Sequence, residues 1–259
     1  MTVETACALA WSIWKSRTNR KKYAKKGVSE EILNGMKHAC SSVSGCHLSL
    51  LTDRDKLKEM ARLVFKVDRI RTEHRPLHEH LMHMIRFTER DMYVHRTGLP
   101  LKNLEAGLMG EVFLRLTRPW KVMQAVNSIG LGRMVPFIAY QGVLASAGVA
   151  LVTVNGRDTA HLLRGGQGLE RVWLQASQSG LSIQPMAAIG LFWLRWVLGK
   201  KGSFSPGHQQ ILEEVWPRFQ GLFPDSDLEQ QTPVMLFRFG KASTIDQRTF
   251  RKPLKAFVP

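Results

Sequence analysis

The feature that most constrains this chain is a strand, a turn and a long one-sided helix in immediate succession. Residues 150–154, Ala-Leu-Val-Thr-Val, are apolar and β-branched enough to read as a strand buried on both faces. Asn155-Gly156 supplies a turn. Leu162, Leu169, Val172, Trp173 and Ala176 then recur at spacings of three, four or their multiples, and Gly180 stands where a helix C-terminal cap is expected. The helix has one buried side. Just upstream, Val135 to Val154 is uncharged and about as long as a membrane span. Pro136, Gln141, Gly142, Ser146 and Gly148 interrupt it, however, and its end turns β-branched. A buried helix followed by a core strand is the stronger reading, a span the weaker, and no membrane partner is predicted.

The rest of the chain alternates short helices and strands. Cys7 to Lys15 reads as a helix with Trp11 and Trp14 on one side, and Ser29 opens another with Glu30 and Glu31 in its first turn. Leu48 to Thr52 is a candidate strand, and Asp55 to Val67 a helix with Leu57, Ala61, Val64 and Phe65 on one face. Pro76 breaks a polar helical region, after which Leu77, Leu81, Met84 and Ile85 restore an apolar stripe. Gly98 and Pro100 mark a loop before Leu101 to Leu116, and Pro119 opens a helix through Val126. Ala187 to Leu198 reads as a helix or an apolar lid, Lys200 to Gly207 as a loop, and Val234 to Phe239 as a core strand. No repeat or linker divides the chain, which predicts one α+β domain over residues 1–259.

Composition narrows the partners. With 37 basic against 21 acidic residues, a formal charge of +16, the surface attracts anions such as phosphorylated cofactors, nucleic acid or acidic lipid. Cys7, Cys40 and Cys46 form no CxxC pair and leave an odd thiol, which fits a reducing compartment; the order acidic, apolar, basic near the start is the reverse of a secretory leader. Cytoplasm is the expected location. His74, His78, His80 and His83 have helical spacing for paired metal ligands, but Pro76 divides them and Arg71 and Arg75 stand beside them, so a solvated or partly packed helix is expected and no metal. The basic run Lys15 to Lys26 has Tyr23 as its sole aromatic and no nucleic-acid-binding signature beside it, so no nucleic-acid partner is predicted. No Gly-x-Ser-x-Gly elbow supports a hydrolase.

Gly168-Leu169-Glu170-Arg171-Val172-Trp173-Leu174-Gln175-Ala176, then Gly180-Leu181-Ser182-Ile183-Gln184-Pro185, resembles the nitroreductase superfamily. Arg238-Phe239-Gly240 and Arg251-Lys252-Pro253-Leu254 are similar to its closing strand and tail, and Arg17-Thr18-Asn19-Arg20, followed by Tyr23, Val28 and Leu33, to its start. The resemblance spans nearly the whole chain and is closest to the C-terminal half of duplicated bacterial nitroreductase-like proteins. It implies a central, mostly antiparallel sheet flanked by helices in an intertwined homodimer, with Val135 to Ala147 as a packing face, or a pairing with a related partner chain. It also implies FMN as cofactor, with NAD(P)H as electron donor and a nitro compound, quinone or similar small molecule as acceptor. Arg17, Thr18, Arg20 and Arg251 would then hold the phosphate, and Gly180, Leu181, Ser182 and Gln184 would meet the ring. These residue types suit such a ligand, because a phosphate needs several fixed donors, best given by Arg forks and a hydroxyl.

One stretch departs from the family pattern. Where members carry an Ala-Pro-Ser, Asn and Gln-Pro-Trp cluster, this chain has Cys40-Ser41-Ser42-Val43-Ser44-Gly45-Cys46-His47, leaving Ser41, Ser42 or Ser44 as replacement polar contacts. The second reading is therefore a relative that binds or sequesters flavin without turnover, or has lost it, and the third a binder of anionic surfaces or nucleic acid.

Overall fold

In the computed structural model, residues 12–13, 16–245, 249, 253 and 256 are described. In chain order they form α1 (Glu30–Ser41), β1 (Cys46–Leu51), α2 (Arg54–Glu73), α3 (Arg75–Met84), α4 (Glu89–His95), α5 (Gly107–Leu116), α6 (Trp120–Ser128), α7 (Met134–Leu144), β2 (Gly148–Asn155), α8 (Thr159–Gln178), β3 (Ser182–Pro185), α9 (Ala188–Val197), α10 (Pro206–Leu222) and β4 (Gln231–Gly240). Two compact units are built from them: residues 1–67 with 139–243, and residues 68–138 with 244–259.

The first unit holds a four-stranded sheet, in the order β1-β2-β4-β3, every neighbouring pair antiparallel, while the second has, among the described residues, only a short parallel pairing of Ile85–Arg86 with Leu99–Pro100. β2 is buried along its length up to Asn155, as its uncharged β-branched run requires of a central strand with both faces covered. β4 contains Pro233, which has no N–H for the ladder. The register slips between Val152 and Thr153, opposite that proline, so the bulge absorbs the missing donor. β3 reaches only Phe237 to Gly240 of β4, so Pro233 has no partner strand on its other side.

α1 and α8 share one core with the sheet: Leu33, Met36 and Cys40 of α1 and Val172 and Ala176 of α8 pack with Ala150, Val152, Val154, Phe237 and Phe239. Two glycines set how closely α8 approaches. A Cβ on Gly165 would overlap Val234 Cγ2, and one on Gly168 would stand 3.1 Å from Cys46 Sγ. Asp158 caps α8 by accepting from the His161 N–H, 2.9 Å away.

The uncharged run upstream resolves into helix α7 and core strand β2: the strand is buried as expected, but the helix, expected to be buried, leaves Met134, Phe137 and Ile138 half-exposed. No helix among the described residues is long and apolar enough to cross a membrane. The predicted helices at 55–67 and 119–126 appear as α2, which runs on to Glu73, and α6, which starts after Pro119. The stretch Leu101 to Leu116 is broken: a 3-10 turn over Leu101–Leu104 ends at Glu105 in the left-handed region (φ 52°), and α5 begins at Gly107. The Lys200 to Gly207 loop is shorter than expected because Pro206 opens α10, capped by Ser205.

The second unit has its own small core of Met82, Ile85, Phe87, Leu101 and Leu114. His78 is buried in this unit, its ring centroid 5.5 Å from that of Trp120 and its Nε2 3.3 Å from the Arg118 carbonyl. His80 and His83 are exposed, so this is a partly packed helix, with one histidine serving as core.

Candidate functional site

The site grows from the edge strand β3. Its inner neighbour is β4, with Gln184 opposite Arg238 and Ser182 opposite Gly240. Along its outer edge runs the N-terminal basic segment: Thr18 forms a parallel bridge with Ile183, and the Asn19 N–H donates to the Ile183 carbonyl at 3.0 Å. The two stretches singled out in the sequence, 164 residues apart at that hydrogen bond, thus form one surface.

α8 delivers the chain to β3 through a tight cap. The Leu181 N–H donates to the Ala176 carbonyl (2.8 Å) and the Gly180 N–H to the Ser177 carbonyl (3.1 Å), the paired bonds of a Schellman motif. Gly180 has φ 72°, which favours glycine, while a Cβ there would meet nothing within 4 Å. The cap explains the residue, and open space lies above it.

Arg238 anchors the whole arrangement. It is 2% exposed, and its Nε donates to Gln184 Oε1 (2.7 Å), its Nη1 to the Gly142 carbonyl (3.0 Å), and its Nη2 to the carbonyls of Arg20 (3.1 Å) and Lys21 (2.8 Å). Its guanidinium carbon lies 3.9 Å from the Tyr23 ring centroid. Burial lowers its pKa, yet a guanidinium stays protonated, and among the described residues no carboxylate pairs with it. Tyr23 is buried in turn and donates to the Asn19 carbonyl at 2.6 Å; burial pushes its phenol well above the usual range, so it remains a donor.

Asn19 ties the segment to β3 through its side chain. Its Oδ1 accepts from the Lys21 N–H (3.0 Å), while its Nδ2 donates to Ser182 Oγ (3.2 Å) and the Ser243 carbonyl (2.9 Å). Of the expected cofactor residues, Thr18, Gly180, Leu181, Ser182 and Gln184 therefore cluster along β3 and its entry. Arg17 and Arg20 flank Thr18 and Asn19, each half-buried, and Arg251 lies outside the described residues. Asn19 and Arg238 carry more of the geometry than their places in the sequence suggested. The usable signal for Arg238 was a lone charge in the apolar strand Val-Met-Leu-Phe-Arg-Phe.

The serines expected to replace missing contacts are elsewhere. Cys46 pairs with Val154, whereas β3 sits opposite the Phe237 to Gly240 end of β4, which faces Gly148 to Ala150. Ser41, Ser42 and Ser44 thus lie by the opposite edge strand and at its far end. Ser42 Oγ instead accepts from Arg171 at 2.8 Å. An apolar cavity of about 230 Å³ between α9 and α10, walled by Phe192, Trp193, Trp196 and Trp216, contains none of the expected residues either.

Compared with solved structures, the chain superposes on the FMN-dependent nitroreductase NfnB from Mycobacterium smegmatis, solved with NADPH, at TM-score 0.53, with 15% identity and 98% of each chain covered. The chain has the nitroreductase fold. A nitroreductase with bound FMN from Desulfitobacterium hafniense DCB-2 gives TM-score 0.50 at 11% identity, over 97% of each chain. No known family profile matches. In sequence, 153 residues, 59% of this nitroreductase-fold chain, are 29% identical to an uncharacterized protein of Mycobacterium tuberculosis (strain CDC 1551 / Oshkosh). That match covers 21% of the mycobacterial protein, so the chain spans about a fifth of its length.

Proposed function

We propose that this chain is an FMN-dependent oxidoreductase passing electrons from NAD(P)H to a nitro compound, quinone or similar small acceptor, working in the cytoplasm as a homodimer or with a related partner chain. The observation that carries the reading is the docking of residues 17–20 against β3. It gathers Arg17, Thr18 and Arg20 beside Ser182 and Gln184, on a surface with open space above Gly180. That donor set fits a phosphorylated ligand with acceptor-rich ring edges. The FMN and NADPH named for the two solved structures support the same assignment. When bound, FMN supplies the two-electron chemistry; the chain's residues bind and orient it. In this reading Arg17, Thr18, Arg20 and Arg251 hold the phosphate and residues 180–184 meet the ring, with both units part of one nitroreductase-like domain. The mycobacterial relative supports placing such a domain within longer chains.

The test is an absorbance spectrum after loading with FMN and removing the excess, followed by anaerobic NAD(P)H. Retained flavin that bleaches is the expected result. Retained flavin that stays oxidised favours the storage reading. A folded protein that retains none overturns the cofactor assignment.

A further inference from the structure

The hydrogen bonds around β3 fix which way its polar side chains present their atoms. A guanidinium has donors and no acceptor, so the Gln184 atom 2.7 Å from Arg238 Nε must be the amide oxygen. Gln184 is half-buried, and among the described residues its Nε2 has no partner. Its two N–H groups are therefore uncommitted within the described chain. Asn19 is fixed by the same logic: the Lys21 N–H can meet only Oδ1, and the Ser243 carbonyl can meet only Nδ2. Its other Nδ2 proton goes to Ser182, so Ser182 Oγ accepts there and its hydroxyl proton is left for another partner. Ser182 and Gln184 are two apart on a strand, hence on one face, while Ile183 between them is buried on the other.

We propose that β3 presents a donor-only face, Ser182 O–H and Gln184 N–H, to an acceptor-only edge of the bound ligand, with Asn19 and Arg238 as positioning residues that set its polarity. The proposal rests on the flavin reading for the identity of that ligand and goes beyond it by assigning the sense of each hydrogen bond. The shared chemistry of the ligand is a pair of neighbouring oxygen or nitrogen lone pairs, as on the N5 and C4-carbonyl edge or the N1 and C2-carbonyl edge of an oxidised flavin ring, or on a phosphate. The two sources are separable, because riboflavin has the ring without the phosphate.

The experiment uses Gln184→Glu. The oxygen facing Arg238 is retained, and now as part of a carboxylate, while the uncommitted nitrogen becomes an oxygen. The fixed orientation predicts that the melting temperature without ligand stays level or rises, because a buried cation gains an anionic partner. Binding, followed by flavin fluorescence, weakens about tenfold or more, since an acceptor now faces an acceptor. A merely structural role would lower stability and binding together. Ser182→Ala, which removes the second donor without adding charge, weakens binding about threefold.

Equal loss of riboflavin and FMN binding assigns the donors to the ring edge, and loss of FMN binding alone assigns them to the phosphate. Unchanged binding by a stable Gln184→Glu protein overturns the donor face. A drop in its melting temperature overturns the fixed orientation. If the unaltered chain retains neither flavin, the flavin reading fails, and the melting temperatures still decide the orientation.

Discussion

Buried ionisable side chains decide the chemistry of this molecule residue by residue. Arg238 keeps its charge because four oxygens and the Tyr23 ring replace the water it lost. Cys40 takes the other course. With no exposed surface, and Cys46 nearby adding to the effect, burial pushes its thiol up to about 12. The folded state therefore holds a proton that the unfolded chain releases nearer pH 9. Stability from this group is full below that pH and falls as pH rises toward 12, by about 1.4 kcal/mol per pH unit. Chemical denaturation across pH 8 to 11 is expected to show a steeper alkaline loss in the unaltered chain than in Cys40→Ala, roughly between the two values named. Equal slopes would mean that the thiol contributes nothing. The thiol's burial was not legible in the sequence, where Cys40 opened a stretch of candidate ligand contacts. Neither was the part played by Asn19, which the sequence offers only as one member of the run Arg17-Thr18-Asn19-Arg20 and which makes five hydrogen bonds in the fold.

At the scale of elements, α8 shows how adjacent positions on one helix answer to opposite forces. Gly165 faces the sheet, where an added Cβ would overlap Val234 Cγ2, a branched side chain with little freedom to turn away. Gly166 faces open space, with nothing within 4 Å of a Cβ. Gly165→Ala is expected to cost about 1–3 kcal/mol despite alanine's better helix propensity, because overpacking outweighs it. Gly166→Ala is expected to stabilise by about 0.5–1 kcal/mol through propensity alone. Urea midpoints of the two variants test the pair, and shifts of the same sign would refute the packing of α8 on β4. That α8 is a helix with one buried side was readable from its apolar period of 3.6, whereas the sheet it packs on was not. α10 was not, since its first turn holds Pro206 and Gly207 and its interior holds Pro217, all breakers by composition. Its buried positions Leu212, Val215, Phe219 and Leu222 nonetheless keep spacings of three and four. The bulge opposite Pro233 was likewise hidden, because a proline next to a strand pattern reads as its boundary.

For the whole molecule, the sheet order and the joining of residues 17–20 to β3 follow from long-range pairing, which no local pattern encodes; only the family resemblance foretold their meeting. The same holds for assembly. α7 is apolar on nearly every side, and a helix of that kind is ordinarily enclosed. Yet Met134, Phe137 and Ile138 are each about half-exposed in the single chain. Three neighbouring apolar side chains in water are an association surface, and the proposed homodimer gives them an occupant. Phe137→Asp places a charge in that surface, and its melting temperature reports separately what the change costs the fold of one chain. Light scattering at micromolar concentration is expected to show a dimer for the unaltered protein and a shift toward monomer for the variant. Measuring FMN retention on the same samples then locates the cofactor with respect to the interface. Flavin lost in step with the dimer means that the second chain completes the grip which the same chain's Ser41, Ser42 and Ser44 are too remote from β3 to give. Flavin kept by a monomer means that β3 and residues 17–20 suffice alone, and an unaltered chain that is already monomeric removes the homodimer from the proposal.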